Sequence, residues 1–192
     1  MVKIVLLKSD ADHMHRMKLM HTPEDAFIMS YTYDNDIVSI EIESSGNNED
    51  TFHDLCFMTE WCIKKFHPEK IVVACDASLC KLMNAAGYYA KGKAFQHLIE
   101  PYRYLLDDHV FDEEGYIIDQ GSMQSIPFGW FDTQRKGCGW IAAYNLLKAN
   151  RKYTPMHEVI HDLEKHSLLG KVSGQELFWL VVYLKQKGLD LF

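Results

Sequence analysis

The sequence predicts an α+β protein with a mixed sheet and flanking helices in its amino-terminal half, followed by a three-helix carboxy-terminal half. Short apolar runs alternate with amphipathic stripes before residue 100, whereas helical stripes alone follow residue 133. The chain has 192 residues, of which 47% are hydrophobic and 12% aromatic, which is enough to bury a substantial core. A disordered or low-complexity protein is therefore excluded.

The first half begins with strand signals. Residues 2–7 are a short apolar run that predicts a buried strand. Residues 26–33 and 37–42 predict two strands around the polar turn Asp34-Asn35-Asp36, and therefore a β-hairpin. Residues 13–21, which are rich in His and Met, are interpreted as a pliable packing or protein-contact segment.

A helix, a strand, a second helix and an extended segment follow in that order. The apolar stripe over residues 52–66 predicts a helix that ends before Pro68. Residues 71–75 suit a central strand. Residues 77–86 predict a helix closed by Gly87 in the left-handed cap position, and extended structure resumes at residues 88–99.

This order resembles the core of the GNAT acetyltransferases over residues 27–98, with KIVVACDASLCKLMNAAGYYAKG as the later strand-helix-strand part. The family motif Gln/Arg-x-x-Gly-x-Gly/Ala presents backbone N–H groups to the pyrophosphate of coenzyme A. Here the loop reads SSGNNED, which keeps Gly46 but places Glu49 and Asp50 where a diphosphate would bind. We therefore expect no cofactor. A generic α/β fold, in which these acids only favour a helix start, is the alternative.

Charge divides the chain into parts. Between Glu100 and Asp132 there are eight acidic residues and one basic residue, Arg103. Residues 133–153 instead carry five basic residues and no acidic one. The sequence predicts units at 1–100 and 131–192 joined by an acidic connecting segment at 101–130. Four of its acids are candidate contacts for a basic protein or peptide partner: Asp107, Asp108, Glu113 and Glu114.

Overall composition excludes several classes of protein. The formal net charge of −7 argues against a protein that grips nucleic-acid phosphates. No run has the length of a signal-peptide core or of a membrane span, so a cytoplasmic location without a membrane partner is expected. The five cysteines are an odd number without a C-x-x-C pair, which favours neither a disulfide framework nor a thiolate zinc site.

Three helices are predicted in the second half. Residues 139–150 suit the first helix. Thr154 is a good N-cap before Pro155, and the apolar stripe that follows runs to about His166. The capping-box spacing of Ser173 and Glu176 predicts the third helix, for which Gly188 is the natural stop.

The most informative segment is FDTQRKGCGWIAAYNLLKAN, which contains Cys138. A cysteine just inside a helix amino terminus meets free N–H groups that stabilise a thiolate, and Arg135 and Lys136 add positive charge. The segment resembles the nucleophile helix of papain-like cysteine peptidases of the bacteriocin-processing type, and the resemblance covers residues 128–190. It implies that Cys138 attacks a carbonyl and that Gln134 holds the oxyanion.

Two positions depart from the papain-like pattern. The family glutamine lies six residues before the cysteine, where this chain has Asp132, whereas Gln134 lies four residues before Cys138. The base histidine of the family comes from a later sheet, and no residue of this sequence is matched to it. A buried thiol within a vestigial fold is therefore the alternative interpretation of Cys138.

A second motif is His157-Glu158-Val159-Ile160-His161, an H-E-x-x-H sequence. On a helix this spacing places two imidazoles on one face as zinc ligands, with the glutamate as general base. Either His166 or Glu176 would have to be the third ligand. No G-x-x-H extension follows, and Val159 and Ile160 fit a core-facing stripe, so no metal is assigned here.

The lead hypothesis is a papain-like thiol-dependent hydrolase, or a degenerate relative, with Cys138 and Gln134 as catalytic residues. The first alternative is a non-catalytic protein-binding or inhibitor module with an acidic surface. A zinc hydrolase based on the H-E-x-x-H motif is the third hypothesis.

Overall fold

The computed structural model describes residues 3–7, 14–20, 26–44, 48–166 and 177–190. The chain divides into two compact units, Met1–Ile99 and Glu100–Phe192. The predicted α+β class with a mixed sheet is confirmed.

A seven-stranded sheet forms the first unit. The β4–β5 pair is parallel and the other pairs are antiparallel, so the sheet is mixed. Its spatial order is β1-β2-β3-β4-β5-β7-β6. The strands are β1 (Lys3–Leu7), β2 (His15–Met20), β3 (Ala26–Asp34), β4 (Ile37–Ser44), β5 (Lys70–Ala74), β6 (Tyr89–Lys91) and β7 (Ala94–Leu98).

The predicted hairpin is the β3–β4 pair. Its turn residues Asn35 and Asp36 have φ values of 48° and 59°, the left-handed backbone that a two-residue hairpin turn requires and that Asn and Asp tolerate. Strand β2 was not predicted. Met17 and Leu19 of β2 are fully buried and alternate with residues of the opposite face, so part of the expected packing segment is a regular strand.

Helices α1 (Asn48–Phe66) and α2 (Cys80–Ala85) pack on this sheet. Helix α1 connects the parallel strands β4 and β5, which need a crossover of this length. A 3₁₀ turn at Ala77–Leu79 precedes α2, and Gly87 follows it with a φ of 92°, as expected for the cap. The shared core consists of large apolar side chains from both layers, including Phe27, Met29, Val38, Phe52, Leu55, Met58, Ile71, Val73 and Met83.

The second unit is built mainly from short turns and helices. Three 3₁₀ turns, Pro101–Leu105, Asp108–Val110 and Gln120–Ser122, lead to the strands β8 (Pro127–Phe128) and β9 (Phe131–Asp132). The helices are α3 (Thr133–Lys136), α4 (Cys138–Ala149), α5 (Met156–His166) and α6 (Leu177–Gln186). Within the described ranges, no helix has the length and apolarity that a bilayer span requires.

The segment 101–130, predicted as a connection, belongs to the second unit. The side chain of Asn145 in α4 anchors this segment through two hydrogen bonds. Its Oδ1 accepts from Ile117 N–H at 3.0 Å, and its Nδ2 donates to Ile117 C=O at 2.8 Å. The prediction of a connecting segment was based on its acidic residues and did not consider the apolar residues between them. Those residues lie in the core of the unit with Trp140, Ala143, Leu147 and Leu163: Leu106, Val110, Phe111, Ile117, Met123, Ile126 and Phe128.

The side chain that caps the start of α5 is not the predicted Thr154. The Thr154 hydroxyl donates to the Lys152 carbonyl at 3.3 Å. The Glu100 carboxylate instead accepts from the N–H groups of Met156 and His157, at 2.9 and 3.1 Å. A distant side chain therefore satisfies the first amides of the helix. At the other end of the unit, Gly188 has a φ of 78° and ends α6 as predicted, while the Ser173 and Glu176 capping box lies outside the described residues.

Candidate functional site

Cys138 is the first residue of α4, and its side chain is exposed. The helical hydrogen-bond pattern nevertheless passes through Gly137. Its N–H donates to the Thr133 carbonyl at 2.8 Å, and its own carbonyl accepts from Ile141 N–H at 3.0 Å. The run therefore begins at Thr133, where Asp132 Oδ1 accepts from Arg135 N–H at 3.0 Å. The free amides expected to stabilise a Cys138 thiolate lie at this earlier start.

The two basic neighbours of Cys138 have other partners. Arg135 Nε lies 3.7 Å from Asp132 Oδ2, and Lys136 Nζ lies 5.6 Å from the centre of the Phe131 ring. In the part of the chain that the structure describes, no histidine ring is hydrogen-bonded to the Cys138 thiol. The nucleophile role of Cys138 stays a prediction.

Gln134, the predicted oxyanion residue, uses both ends of its amide within the fold. Its Nε2 donates to the Gly121 carbonyl at 2.7 Å, and its Oε1 accepts from Gln124 Nε2 at 2.6 Å. Gln120 Nε2 also donates to the carbonyls of Thr133 and Gln134, at 2.9 and 3.0 Å. These bonds join the 120–124 segment to the first turn of α3, so the observed contacts of Gln134 are structural.

The H-E-x-x-H motif lies in the first turns of α5. His157, Glu158 and His161 are exposed, whereas Val159 and Ile160 are buried. His157 Nδ1 lies 3.0 Å from Glu100 Oε2, in the cap of the helix. Among the described residues, no group of three or more potential ligands is placed to hold a metal ion. Two other candidate ligands were predicted, His166 and Glu176. The His166 side chain and the whole of Glu176 are not among the parts of the chain that the structure describes.

The four predicted partner-binding acids lie on one stretch of the second unit. Asp107, Asp108 and Glu113 are exposed, and Glu114 is half-buried. Asp108 Oδ1 lies 3.1 Å from Nη2 of Arg103, which is buried, with its guanidinium carbon 4.1 Å from the centre of an aromatic ring. The one basic residue of the acidic segment therefore points inward, and the exposed charge is negative.

Exposed apolar side chains lie among these acids. Leu105 is 55% exposed and Ile118 is 65% exposed. Asp107 and Asp119 are close to these residues in the sequence, and both of their carboxylates lie near the His109 ring. We call these five residues the apolar–acidic surface. Of these five residues, Asp107 alone was predicted from the sequence as a partner contact. Leu105 and Ile118 were missed because a local pattern does not show which apolar residues face solvent.

Hydrogen bonds join Ile118 and Leu105 to other segments of the second unit. Ile118 N–H donates to the Val110 carbonyl at 2.9 Å, which places Ile118 next to the His109 turn. Ser125 Oγ donates to the Leu105 carbonyl at 3.0 Å. Both apolar residues therefore have a backbone group bonded within the fold.

His109 lies at the centre of the surface. Its Nε2 is 3.0 Å from Ser122 Oγ and 3.5 Å from Asp119 Oδ2, and its Nδ1 is 4.0 Å from Asp107 Oδ2. The Ser122 hydroxyl, the Gly121 N–H and the nearby His109 hold the pKa of Asp119 below its usual range. Asp119 is therefore ionised at neutral pH.

In the first unit, a cavity of about 230 Å³ lies over strands β3, β4 and β5. Its polar lining includes Ser30, Thr32, Ser39 and Glu41, which the strand register places side by side. Since residues from separate strands create it, no sequence motif could indicate it. The Gly46 loop of the GNAT resemblance lies outside the described residues.

Comparison with models of protein families gives no match to this chain, and comparison with curated protein sequences gives none either. The GNAT and papain-like resemblances therefore rest on the residues quoted for them.

Proposed function

We propose that the chain is a non-catalytic protein-binding module, whose apolar–acidic surface receives a cationic segment of a protein or peptide partner. The observation that carries the proposal is that Leu105 and Ile118, 55% and 65% exposed, lie in the same two segments of the chain as Asp107 and Asp119, whose carboxylates both lie near His109. Such a surface complements an aliphatic residue flanked by Lys or Arg.

The charge distribution supports a cationic partner. Arg103 is buried and paired with Asp108, so it does not offset the other acids at the surface. The whole chain also has a formal net charge of −7. Attraction of this kind raises the association rate and weakens as salt is added.

Hydrogen bonds to the backbone of this surface also support binding. The bonds from Ile118 to Val110 and from Ser125 to Leu105 fix its two edges. Asn145 anchors the adjacent Ile117 backbone to α4 through two hydrogen bonds. A preformed surface loses little conformational freedom when a partner binds.

On this proposal, the second unit is a papain-like relative that serves as a binding scaffold. The bonds of Gln134 to Gly121 and Gln124 support this interpretation over a hydrolase, because they occupy the amide that would hold an oxyanion. The first unit is a GNAT-like domain without a coenzyme A site, and the acids Glu49 and Asp50 at the start of α1 support this part of the proposal.

Selection from an unbiased peptide display library on the full chain tests the proposal. We expect the selected peptides to carry Lys or Arg beside an aliphatic residue. The double variant Asp107→Lys/Asp119→Lys should weaken their binding by about tenfold or more at low salt, since each exposed pair contributes about 0.2–1 kcal/mol and reversal adds repulsion. Glu69→Lys/Asp190→Lys, an equal charge change at two other exposed acids, is the control. Peptides without enriched cations, or equal loss in the control, would contradict the proposal.

A separate variant tests how much the apolar part of the surface contributes to peptide binding. Ile118→Ser should weaken the same peptides by about tenfold, because burying most of an isoleucine side chain contributes about 1–2 kcal/mol. This loss should persist at high salt, unlike that of the charge reversals. Unchanged affinity would show that the acids alone attract the peptides.

A thiol-dependent hydrolase is the second candidate, and the exposure of Cys138 favours it. The test is the rate of iodoacetamide alkylation, resolved by residue with mass spectrometry, between about pH 5 and pH 9. A hydrolase requires a Cys138 midpoint well below about 8.5, the value for a free thiol. An ordinary midpoint would remove this candidate and leave the binding module.

A further inference from the structure

Two half-buried cysteines flank the first turn that leads into α2. Cys75 directly follows strand β5, and Asp76, with φ −65° and ψ 150°, is the N-cap of the 3₁₀ turn. Cys80 follows that turn as the first residue of α2. Counted from the cap, Cys75 is N′ and Cys80 is N4, the two positions whose side chains pack together in a hydrophobic staple.

The surroundings of the two thiols agree with this placement. Both side chains are half-buried and pack against the same apolar core. Burial raises the pKa of the Cys75 thiol, and the neighbouring Cys80 and Asp76 raise it further. Cys80 therefore lies near enough to the Cys75 thiol to influence its ionisation.

The other three cysteines differ from this pair. Cys56 and Cys62 are buried in α1, and burial raises the pKa of Cys62 far above its ordinary value. Cys138 is exposed and belongs to the second unit. Cys75 and Cys80 thus combine proximity with partial access to solvent.

We infer that Cys75 and Cys80 are a redox-active dithiol, which an oxidant of the disulfide class such as oxidised glutathione converts into an intramolecular disulfide. The thiolate of one cysteine attacks the glutathione disulfide and releases one glutathione thiolate. The second cysteine then attacks the mixed disulfide, forms the Cys75–Cys80 bond and releases the second glutathione. In the balanced reaction, two protein thiols are oxidised and one glutathione disulfide is reduced to two glutathione thiols.

The bond would tie the end of β5 to the start of α2. Ala74, which precedes Cys75, lines the cavity over β3, β4 and β5 together with Glu41. Oxidation would therefore fix one edge of that cavity. In a reducing compartment the dithiol is the resting form, and oxidant produces the disulfide reversibly.

The test equilibrates the folded full-length protein in buffers with different ratios of reduced to oxidised glutathione, followed by acid quenching and tryptic digestion. Cleavage after Lys70 and Lys81 gives the peptide IVVACDASLCK, which contains both cysteines and no other. We expect this peptide to become lighter by two hydrogens in the folded protein, with an equilibrium constant about tenfold above that in urea, because folding raises the effective concentration of one thiol near the other.

Cys138 is the internal control, because a single exposed thiol takes up glutathione and forms no intramolecular bond. The two-hydrogen loss should disappear in both Cys75→Ser and Cys80→Ser. The inference fails if the peptide stays reduced while Cys138 carries glutathione, if both of its cysteines carry glutathione, or if urea does not lower the equilibrium constant.

Discussion

The Glu100 cap of α5 allows the most detailed test of the second unit. Its carboxylate accepts from Met156 N–H at 2.9 Å and from His157 N–H at 3.1 Å, and it lies 3.0 Å from His157 Nδ1. The Glu100 side chain is 8% exposed, so solvent screens these bonds little. The substitution Glu100→Ala removes them all.

The expected loss follows from the number and type of these bonds. A hydrogen bond to a charged group contributes about 1.5–3 kcal/mol, and water replaces part of the lost bonding at the exposed His157. We therefore expect Glu100→Ala to lower the opening free energy of α5 by about 2–4 kcal/mol. Glu100→Gln keeps one acceptor without its charge and should lose about 1–2 kcal/mol.

Native-state hydrogen exchange of the α5 amides measures this quantity in the intact chain. Glu158→Ala is the matched control, because it removes an exposed acid from the same helix turn and should lose less than about 1 kcal/mol. A change below about 0.5 kcal/mol for Glu100→Ala, or an equal change for Glu158→Ala, would refute this account of the cap.

Three further predictions concern the same unit. Gly137→Ala should destabilise it by about 1–3 kcal/mol in chemical denaturation, because the added Cβ would lie 2.6 Å from the Thr133 carbonyl oxygen. Asn145→Leu should lower the protection of the Ile117 amide by about 2–4 kcal/mol in hydrogen exchange, since it leaves a buried N–H and C=O without their partner. The pKa of Asp119 should lie below 3.8 in an NMR titration, because a serine hydroxyl and a backbone N–H donate to its carboxylate. A lowered pKa stabilises the fold above pH 3.8, and this contribution should disappear as the pH falls through the folded pKa; an ordinary pKa would contradict this.

Features of the fold that depend on neighbouring residues could be predicted from the sequence. The β3–β4 hairpin follows from a short polar turn between two apolar runs, and Asn35 and Asp36 adopt the backbone that such a turn needs. The ends of α2 and α6 follow from Gly87 and Gly188, which adopt positive φ values there. These features depend on sterics within a few residues.

Features that depend on distant residues were missed. The local pattern offered Thr154 as the cap of α5, whereas Glu100 provides the cap from a separate part of the chain. In the acidic segment, counting charges predicted a linker, but Ile117 and its apolar neighbours lie in the core. Tertiary contacts determine both the cap of α5 and the burial of the acidic segment. Such contacts join residues far apart in the chain, so local sequence patterns do not predict them.

The same distinction between local and distant contacts applies to the candidate site. The sequence predicted a helix start near Cys138, but the extra turn at Thr133–Lys136 moves the amino terminus of the helical run away from the thiol. The hydrogen bonds of Gln134 depend on the fold of the 120–124 segment and could not be predicted from its distance to Cys138.

Hydrogen-exchange mapping of the full chain, with and without a library-selected cationic peptide, tests the proposed function most directly. We expect the peptide to slow exchange at residues 105–110 and 117–122, which carry the apolar–acidic surface, and this effect should be lost in Asp107→Lys/Asp119→Lys. Slowed exchange confined to the start of α4 around Cys138, or no change in the surface segments, would contradict the binding proposal.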